Sequence, residues 1–265
     1  MTTLSRSRGP AFKYKCNPCA FDVMTPEALY WLGFLFADGH ISKSNTLELC
    51  LSRTDIGHIE KFRAFLKSDY PIKFGTRRNT VLKIGTPGVV ERARVLGLGA
   101  RSLMRVPSSE MAQSRDFWRG AVDGDGTLYL RRNTISLTLI GGKAMVQAFA
   151  SWAQLHCPRL RSVVAEKRHV PGLFTFSTEG KTAQELVALL YDGATVALDR
   201  KANLAAQAGA LELKAKRPFE QIEDVWVRLA AGMKVRGAFA HVARVLNRPT
   251  ERVYQRAKCL GFLSA

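Results

Sequence analysis

The sequence lacks any apolar run approaching the roughly 20 residues of a membrane-spanning helix, so neither a span nor a membrane partner is expected. It is also short of acids: 22 Asp and Glu stand against 40 Lys and Arg, giving a net charge of +18 and a pI near 10.1. A chain this basic is expected to meet a polyanion. The five cysteines, Cys16, Cys19, Cys50, Cys157 and Cys259, are odd in number and scattered, which describes no disulfide framework and points to a reducing compartment. Cys16-Asn-Pro-Cys19 has no second pair to complete a four-ligand zinc site. Gly141-Gly142 precedes a helical pattern, but no Gly-Lys-Ser/Thr follows as a phosphate loop requires. His58 and His156 have no spaced partner ligands and read as packing or surface residues. The 46% hydrophobic fraction is that of a folded chain, and 265 residues suffice for one large or two modest domains.

The positive charge gathers at the ends. Residues 1–15 hold Arg6, Arg8, Lys13 and Lys15 with no acid, and from Lys214 onward 11 basic residues face 4 acidic ones. Residues 1–20 read as a basic arm without the apolar core of a secretory signal. The protein is therefore expected in the cytoplasm and not secreted. An organelle is the alternative, because an Arg/Ser-rich, acid-poor arm is also the composition of a transit peptide.

An internal repeat organises what lies between. Trp31-Leu-Gly33-Phe-Leu-Phe-Ala37-Asp38-Gly39 returns as Trp118-Arg-Gly120-Ala-Val-Asp-Gly124-Asp125-Gly126, every match displaced by 87 positions. Each copy has small residues four apart on one helical face, which lets two backbones approach closely. Each is followed by the same order of patterns. In the first half these are a hairpin over 41–52, a helix over 56–66 with Thr54 as its N-cap, a second hairpin over 72–84, and a helix opened by Pro87. In the second half they are strands near 128–130 and 135–139, a helix over 144–155, strands near 161–166 and 173–177, and a helix over 183–191. The fold class read from this is α+β: a pair of αββαββα half-domains, residues 21–100 and 115–210, joined by a linker over 101–114. Residues 211–265 form a separate helical module.

If the two motif helices pack together, Asp38 and Asp125 emerge side by side at their C-terminal ends, with Gly39 and Gly126 as left-handed caps. Paired carboxylates at the negative ends of two helix dipoles repel one another and the dipoles, and a divalent cation between them offsets both terms. An isolated Asp-Gly would be no more than a turn into a hairpin. Its duplication at a common offset favours the metal site.

These segments resemble the LAGLIDADG motif, and the chain over roughly 20–205 is similar to monomeric two-motif LAGLIDADG homing endonucleases. The resemblance implies a pseudo-twofold saddle of antiparallel sheets on double-stranded DNA. It also implies hydrolysis of one phosphodiester per strand at a long, non-palindromic site, leaving short 3′ overhangs. Asp38 and Asp125 would hold the metal, with Gly39 and Gly126 beside them. Mg²⁺ is the implied ion, with Mn²⁺ substituting and Ca²⁺ binding without cleavage. Asp123 occupies the family's earlier acid position, where the first copy has Phe36, and is not carried over as catalytic. Basic catalytic partners are implied after each half, Arg101 in the first and Arg200 or Lys201 in the second; the same residues could serve as phosphate clamps. Relatives more often carry lysine at the place given to Arg101, and a guanidinium is not a geometric replacement for an ammonium.

DNA contacts are expected from outward hairpin positions. In the first half these are His40, Ser42, Lys43, Asn45, Lys73, Arg77, Arg78 and Lys83. In the second they are Arg131, Arg132, Thr134, Ser136, Thr138, Arg161, Lys167, Arg168 and His169. In the tail, Ile222, Val225, Trp226 and Leu229 mark one helix and Phe239, Val242, Val245 and Leu246 a second. After Asn247-Arg248-Pro249 a third is capped by Thr250. The pattern resembles a helix-turn-helix with Thr250, Glu251, Arg252, Tyr254, Gln255 and Lys258 towards the groove; a plain helical cap on the enzyme is the alternative. Two other functions share this scaffold: a DNA-binding regulator without catalysis, and a maturase acting on intron RNA.

Overall fold

A computed structural model describes residues 13–263 apart from Thr76, Arg77, Arg132, Asn133, residues 213–218, Lys234 and Arg236. Two expected groove residues, Arg77 and Arg132, thus lie outside the described residues, as does most of the basic arm.

Local chemistry starts each motif helix. Helix α1 (Pro26–Asp38) begins where the Thr25 hydroxyl accepts from the Ala28 N–H at 3.1 Å, with proline in the first turn, where no N–H partner is needed. Strands β1 (Gly39–Ile41) and β2 (Leu47–Ser52), helix α2 (Ile56–Phe65), strands β3 (Ile72–Phe74) and β4 (Asn79–Ile84), and helix α3 (Pro87–Ala93) complete the first half. After a short helix α4 (Ser109–Gln113), α5 (Arg115–Asp125) starts with the Ser114 hydroxyl accepting from the Phe117 N–H at 3.2 Å. Then follow β5 (Gly126–Arg131), β6 (Thr134–Gly142), α6 (Lys143–His156), β7 (Val163–Glu166), β8 (Leu173–Glu179), α7 (Lys181–Tyr191) and α8 (Asp199–Gly209).

Both sheets are antiparallel, ordered β1-β2-β4-β3 and β5-β6-β8-β7. Alternation gives each sheet one buried and one open face. Leu47, Leu49, Leu82 and Ile84 pack inward in the first, with Ile59 and Phe62 of α2 in the same core; Leu137, Leu139 and Phe176 do so in the second, with Val146 and Phe149 of α6. The segment 101–114 is packed rather than open. Arg105 and Met111 are buried, and Gly142 lies so close to it that a Cβ would sit 2.0 Å from the Leu103 carbonyl oxygen.

Three local expectations are corrected. Ser52, not Thr54, caps the entry to the first half's helix, because a 3-10 turn over Arg53–Asp55 precedes α2 and takes the hydroxyl bond. Gly39 and Gly126 are extended (φ −82° and −87°), not left-handed. Glycine is needed there for proximity instead, since a Cβ would meet the Leu35 oxygen at 2.6 Å and the Val122 oxygen at 2.4 Å.

The chain divides into two compact units at Leu213/Lys214. The second holds α9 (Gln221–Gly232), α10 (Ala238–Val245) and α11 (Thr250–Cys259) around Val227, Ala230, Val242, Ala243, Val253 and Ala257. The third correction falls here. The expected first helix forms, yet Ile222, Val225, Trp226 and Leu229 are exposed. Glu223 is buried against Arg248 at 2.6 Å, and Asp224 holds Arg256 at 2.7 Å. These pairs turn the charged side of α9 inward against its apolar stripe.

Candidate functional site

The site is built on a contact between two backbones. A Cβ at Gly33 would lie 1.9 Å from the Phe117 oxygen, and one at Gly120 would lie 2.0 Å from the Tyr30 oxygen. Each glycine thus meets the residue three before its counterpart, and α1 and α5 touch without intervening side chains. Asp38 and Asp125 consequently end neighbouring helices, and the Asp38 Oδ2 lies 3.3 Å from where a Cβ on Gly124 would be. Both carboxylates keep an opening to solvent, yet the protein around them displaces water. Burial first, and then the charge of Asp125, raise the Asp38 pKa to about 6; burial also raises that of Asp125.

A cation closes each helix end. Arg105 donates through Nη1 to the Leu35 and Phe36 oxygens (3.0 and 2.7 Å) and through Nη2 to the Gly39 oxygen (2.9 Å). Lys201 Nζ donates to the Val122, Asp123 and Gly126 oxygens at 2.6, 2.8 and 2.6 Å. The acceptors correspond one for one across the repeat, so Arg105 is the first-half counterpart of Lys201. Arg101, expected in that place, is exposed four residues earlier. The repeat could not reveal this, because 105 and 201 are not 87 apart: the connections leading to them differ in length. Burial lowers the Lys201 pKa to about 8, while the charges of Asp123, Asp38 and Asp125 oppose that shift. Its three N–H groups are all engaged. Arg200 is the exposed member of the pair, 3.3 Å from Asp55.

Asp123 is wholly inside. It accepts from the Tyr30 hydroxyl (2.7 Å), the Tyr191 hydroxyl (2.6 Å) and the Leu198 N–H (2.7 Å), tying α1, α7 and the start of α8 to α5. The Tyr30 proton goes to Asp123, so His58, 2.9 Å from the same hydroxyl, donates through Nε2, leaving its buried Nδ1 without a partner among the described residues. Burial holds this imidazole neutral, its pKa lowered from 6.5 to about 3. Stability from neutral His58 is therefore complete above pH 6.5 and lost as pH falls towards 3, by up to about 1.4 kcal/mol per pH unit. His58→Gln keeps a donor for Tyr30 without a titration. Urea midpoints between pH 7.5 and 4 should fall less steeply in that variant, and equal slopes would exclude the histidine.

The open sheet faces carry most of the expected contact residues. His40, Lys73, Arg78, Lys83, Arg131 and Thr134 are exposed, and Ser136 and Thr138 half-buried, on strands or their turns. Ser42 and Lys43 lie in the β1–β2 turn with Asn45, whose side chain instead accepts from Arg94. Arg161 precedes β7, and Lys167, Arg168 and His169 occupy the β7–β8 turn, all exposed. Strand register adds residues absent from the expected set: Glu48 and Cys50 in the first sheet, Thr127, Tyr129, Thr175 and Ser177 in the second. Alternation along the strands was the signal that could have found them. In α11, Thr250, Glu251, Tyr254, Gln255 and Lys258 are exposed on one side, while Arg252 lies over the Phe219 ring at 5.9 Å.

No family model and no curated protein matches the chain. Solved structures do match in fold. The meganuclease I-SmaMI bound to uncleavable DNA superposes with a TM-score of 0.50 at 10% identity, over 70% of this chain and 89% of that one. I-DmoI in complex with DNA and Ca gives 0.48 at 14% identity, over 72% and 99%. The likeness to I-SmaMI establishes that this chain has the fold of a LAGLIDADG homing endonuclease.

Proposed function

We propose that this protein is a site-specific DNA endonuclease of the LAGLIDADG homing type, a monomer whose halves are related by a pseudo-twofold axis along the α1–α5 contact. The two open sheet faces form one saddle for a long, non-palindromic duplex. The observation that carries this reading is the pairing of Asp38 and Asp125 at the negative ends of two helices in backbone contact, where each acid is raised in pKa.

The donor set fits Mg²⁺. Among the described residues no group of three His, Cys, Asp or Glu forms a protein-only cage. This ion takes one or two carboxylates and fills its remaining positions with water and substrate phosphate oxygens. Asp38 and Asp125 would hold it; the Gly39 and Gly126 carbonyls already accept from Arg105 and Lys201. When bound, the metal activates water and stabilises the leaving 3′ oxygen. The chain's own residues keep the carboxylates in place: Arg105 and Lys201 fix the last turn of each motif helix. Arg200, on the open side, meets the phosphate. Helices α10 and α11 act as a helix-turn-helix, with Thr250, Tyr254, Gln255 and Lys258 in a groove.

The test is a plasmid pool carrying candidate insertion sites and random inserts, incubated with the full chain and sequenced at its cut ends. Discrete double-strand cuts with short 3′ overhangs are expected in Mg²⁺ and Mn²⁺, and none in Ca²⁺. Sequence-specific binding without cuts in any metal would replace the nuclease by a regulator or a maturase.

A further inference from the structure

We infer that the cross-strand row His40–Glu48–Lys83 reads the orientation of one G·C base pair, with guanine towards Lys83, whereas the matching row of the second sheet, Thr127–Thr138–Ser177, is indifferent to orientation. This rests on the reading that the open sheet faces meet the major groove.

The two rows occupy the same place. Gly39 pairs with Leu49 and Gly126 with Leu139; one residue further, His40 faces Glu48 and Thr127 faces Thr138. The rows continue to a third strand as Glu48↔Lys83 and Thr138↔Ser177. Each begins two residues beyond a motif aspartate. Buried neighbours on both sides, Leu47 and Leu49 with Leu82 and Ile84, force Glu48 and Lys83 onto the open face.

Their chemistry is not the same. Lys83 Nζ lies 2.8 Å from Glu48 Oε1, with the lysine 47% exposed and the glutamate 22%. An ammonium only donates and a carboxylate only accepts, so the pair has a fixed polarity. After their mutual bond, two ammonium protons and Glu48 Oε2 remain for a ligand. A G·C pair presents guanine O6 and N7 as acceptors beside the cytosine N4 donor, which satisfies lysine and glutamate together. Reversed, it sets N4 against the ammonium and O6 against the carboxylate, two mismatches at once. An A·T pair offers an adjacent donor and acceptor in either orientation and falls between. In the second row the Thr138 and Ser177 hydroxyls are 3.3 Å apart and either can donate. Hydroxyls rotate to suit their partner, so that row accepts both orientations.

The experiment selects bound duplexes from a randomised pool with the full chain in Ca²⁺, comparing wild type with the charge swap E48K/K83E and with Glu48→Gln. The swap retains the ion pair, and Glu48→Gln leaves the strand intact, so one of the two keeps the assay interpretable if the other folds poorly. In wild type, one position of one half-site should be G·C over C·G by roughly tenfold or more, with no orientation preference at the matching position of the other half. The swap should invert that position alone, and Glu48→Gln should relax it alone. Unchanged preferences in both variants, with a specific target still selected, would overturn the inference and leave the nuclease reading intact. Failure of wild type to select any sequence would overturn the nuclease reading, and the inference with it.

Discussion

Asp38→Asn and Asp125→Asn are each expected to abolish double-strand cleavage, by roughly 10³-fold or more, while the metal-free protein becomes more stable rather than less. Both acids are raised in pKa within the fold, and Asp125 adds its charge to the burial of Asp38. Their negative charge at neutral pH therefore opposes folding, and an amide removes that term while keeping the side chain's shape. Asp123→Asn is the contrast. Burial raises that pKa too, but the Tyr30, Tyr191 and Leu198 donors at 2.6 to 2.7 Å oppose the rise, so the amide weakens three charge-assisted bonds, is expected to gain no stability, and removes no metal ligand. Thermal unfolding in EDTA and cleavage in Mg²⁺ separate the two kinds of acid on one helix. Wild-type cutting by either Asn variant at 38 or 125 would remove that carboxylate from the chemistry. A loss of stability there would mean that the acids are not strained in the metal-free fold.

The paired acids were legible because a repeat with a single offset puts two identical helix ends in register, and the glycine faces show how they meet. The cations that close those ends were only half legible. Lys201 stands in a run of charge that draws the eye, whereas Arg105 lies in a segment that reads as linker and is recognised only by the three carbonyls it gathers. Apolar periodicity found α9 but not its orientation, since buried pairs such as Glu223 with Arg248 outweigh a stripe of exposed Ile222, Val225 and Trp226. The central network of Tyr30, His58, Asp123 and Tyr191 joins residues 28 to 93 positions apart. No local pattern signals such contacts, and the Tyr30–Asp123 bond exists only once α1 and α5 have met.

That meeting makes the motif glycines sensitive positions in the fold. Gly33→Ala and Gly120→Ala are each expected to destabilise the protein by about 4 kcal/mol or more. A Cβ 1.9 or 2.0 Å from a carbonyl oxygen of the opposing helix cannot be relieved by a rotamer change, because the atom it meets is backbone. The helices must separate, which opens the core and moves Asp38 away from Asp125. Gly57→Ala supplies the opposite sign from the same chemistry. Gly57 is the second residue of α2, a Cβ there meets nothing within 4 Å among the described residues, and alanine should add at most about 0.5 kcal/mol through its helix propensity. The two motif substitutions should also be strongly sub-additive. Once one Cβ has pushed α1 and α5 apart, the second enters space already opened, so the double variant should cost much less than the two single losses together. Urea unfolding of the four proteins with wild type measures this directly. Full additivity would show that the two contacts yield independently, and that α1 and α5 do not move as a rigid pair.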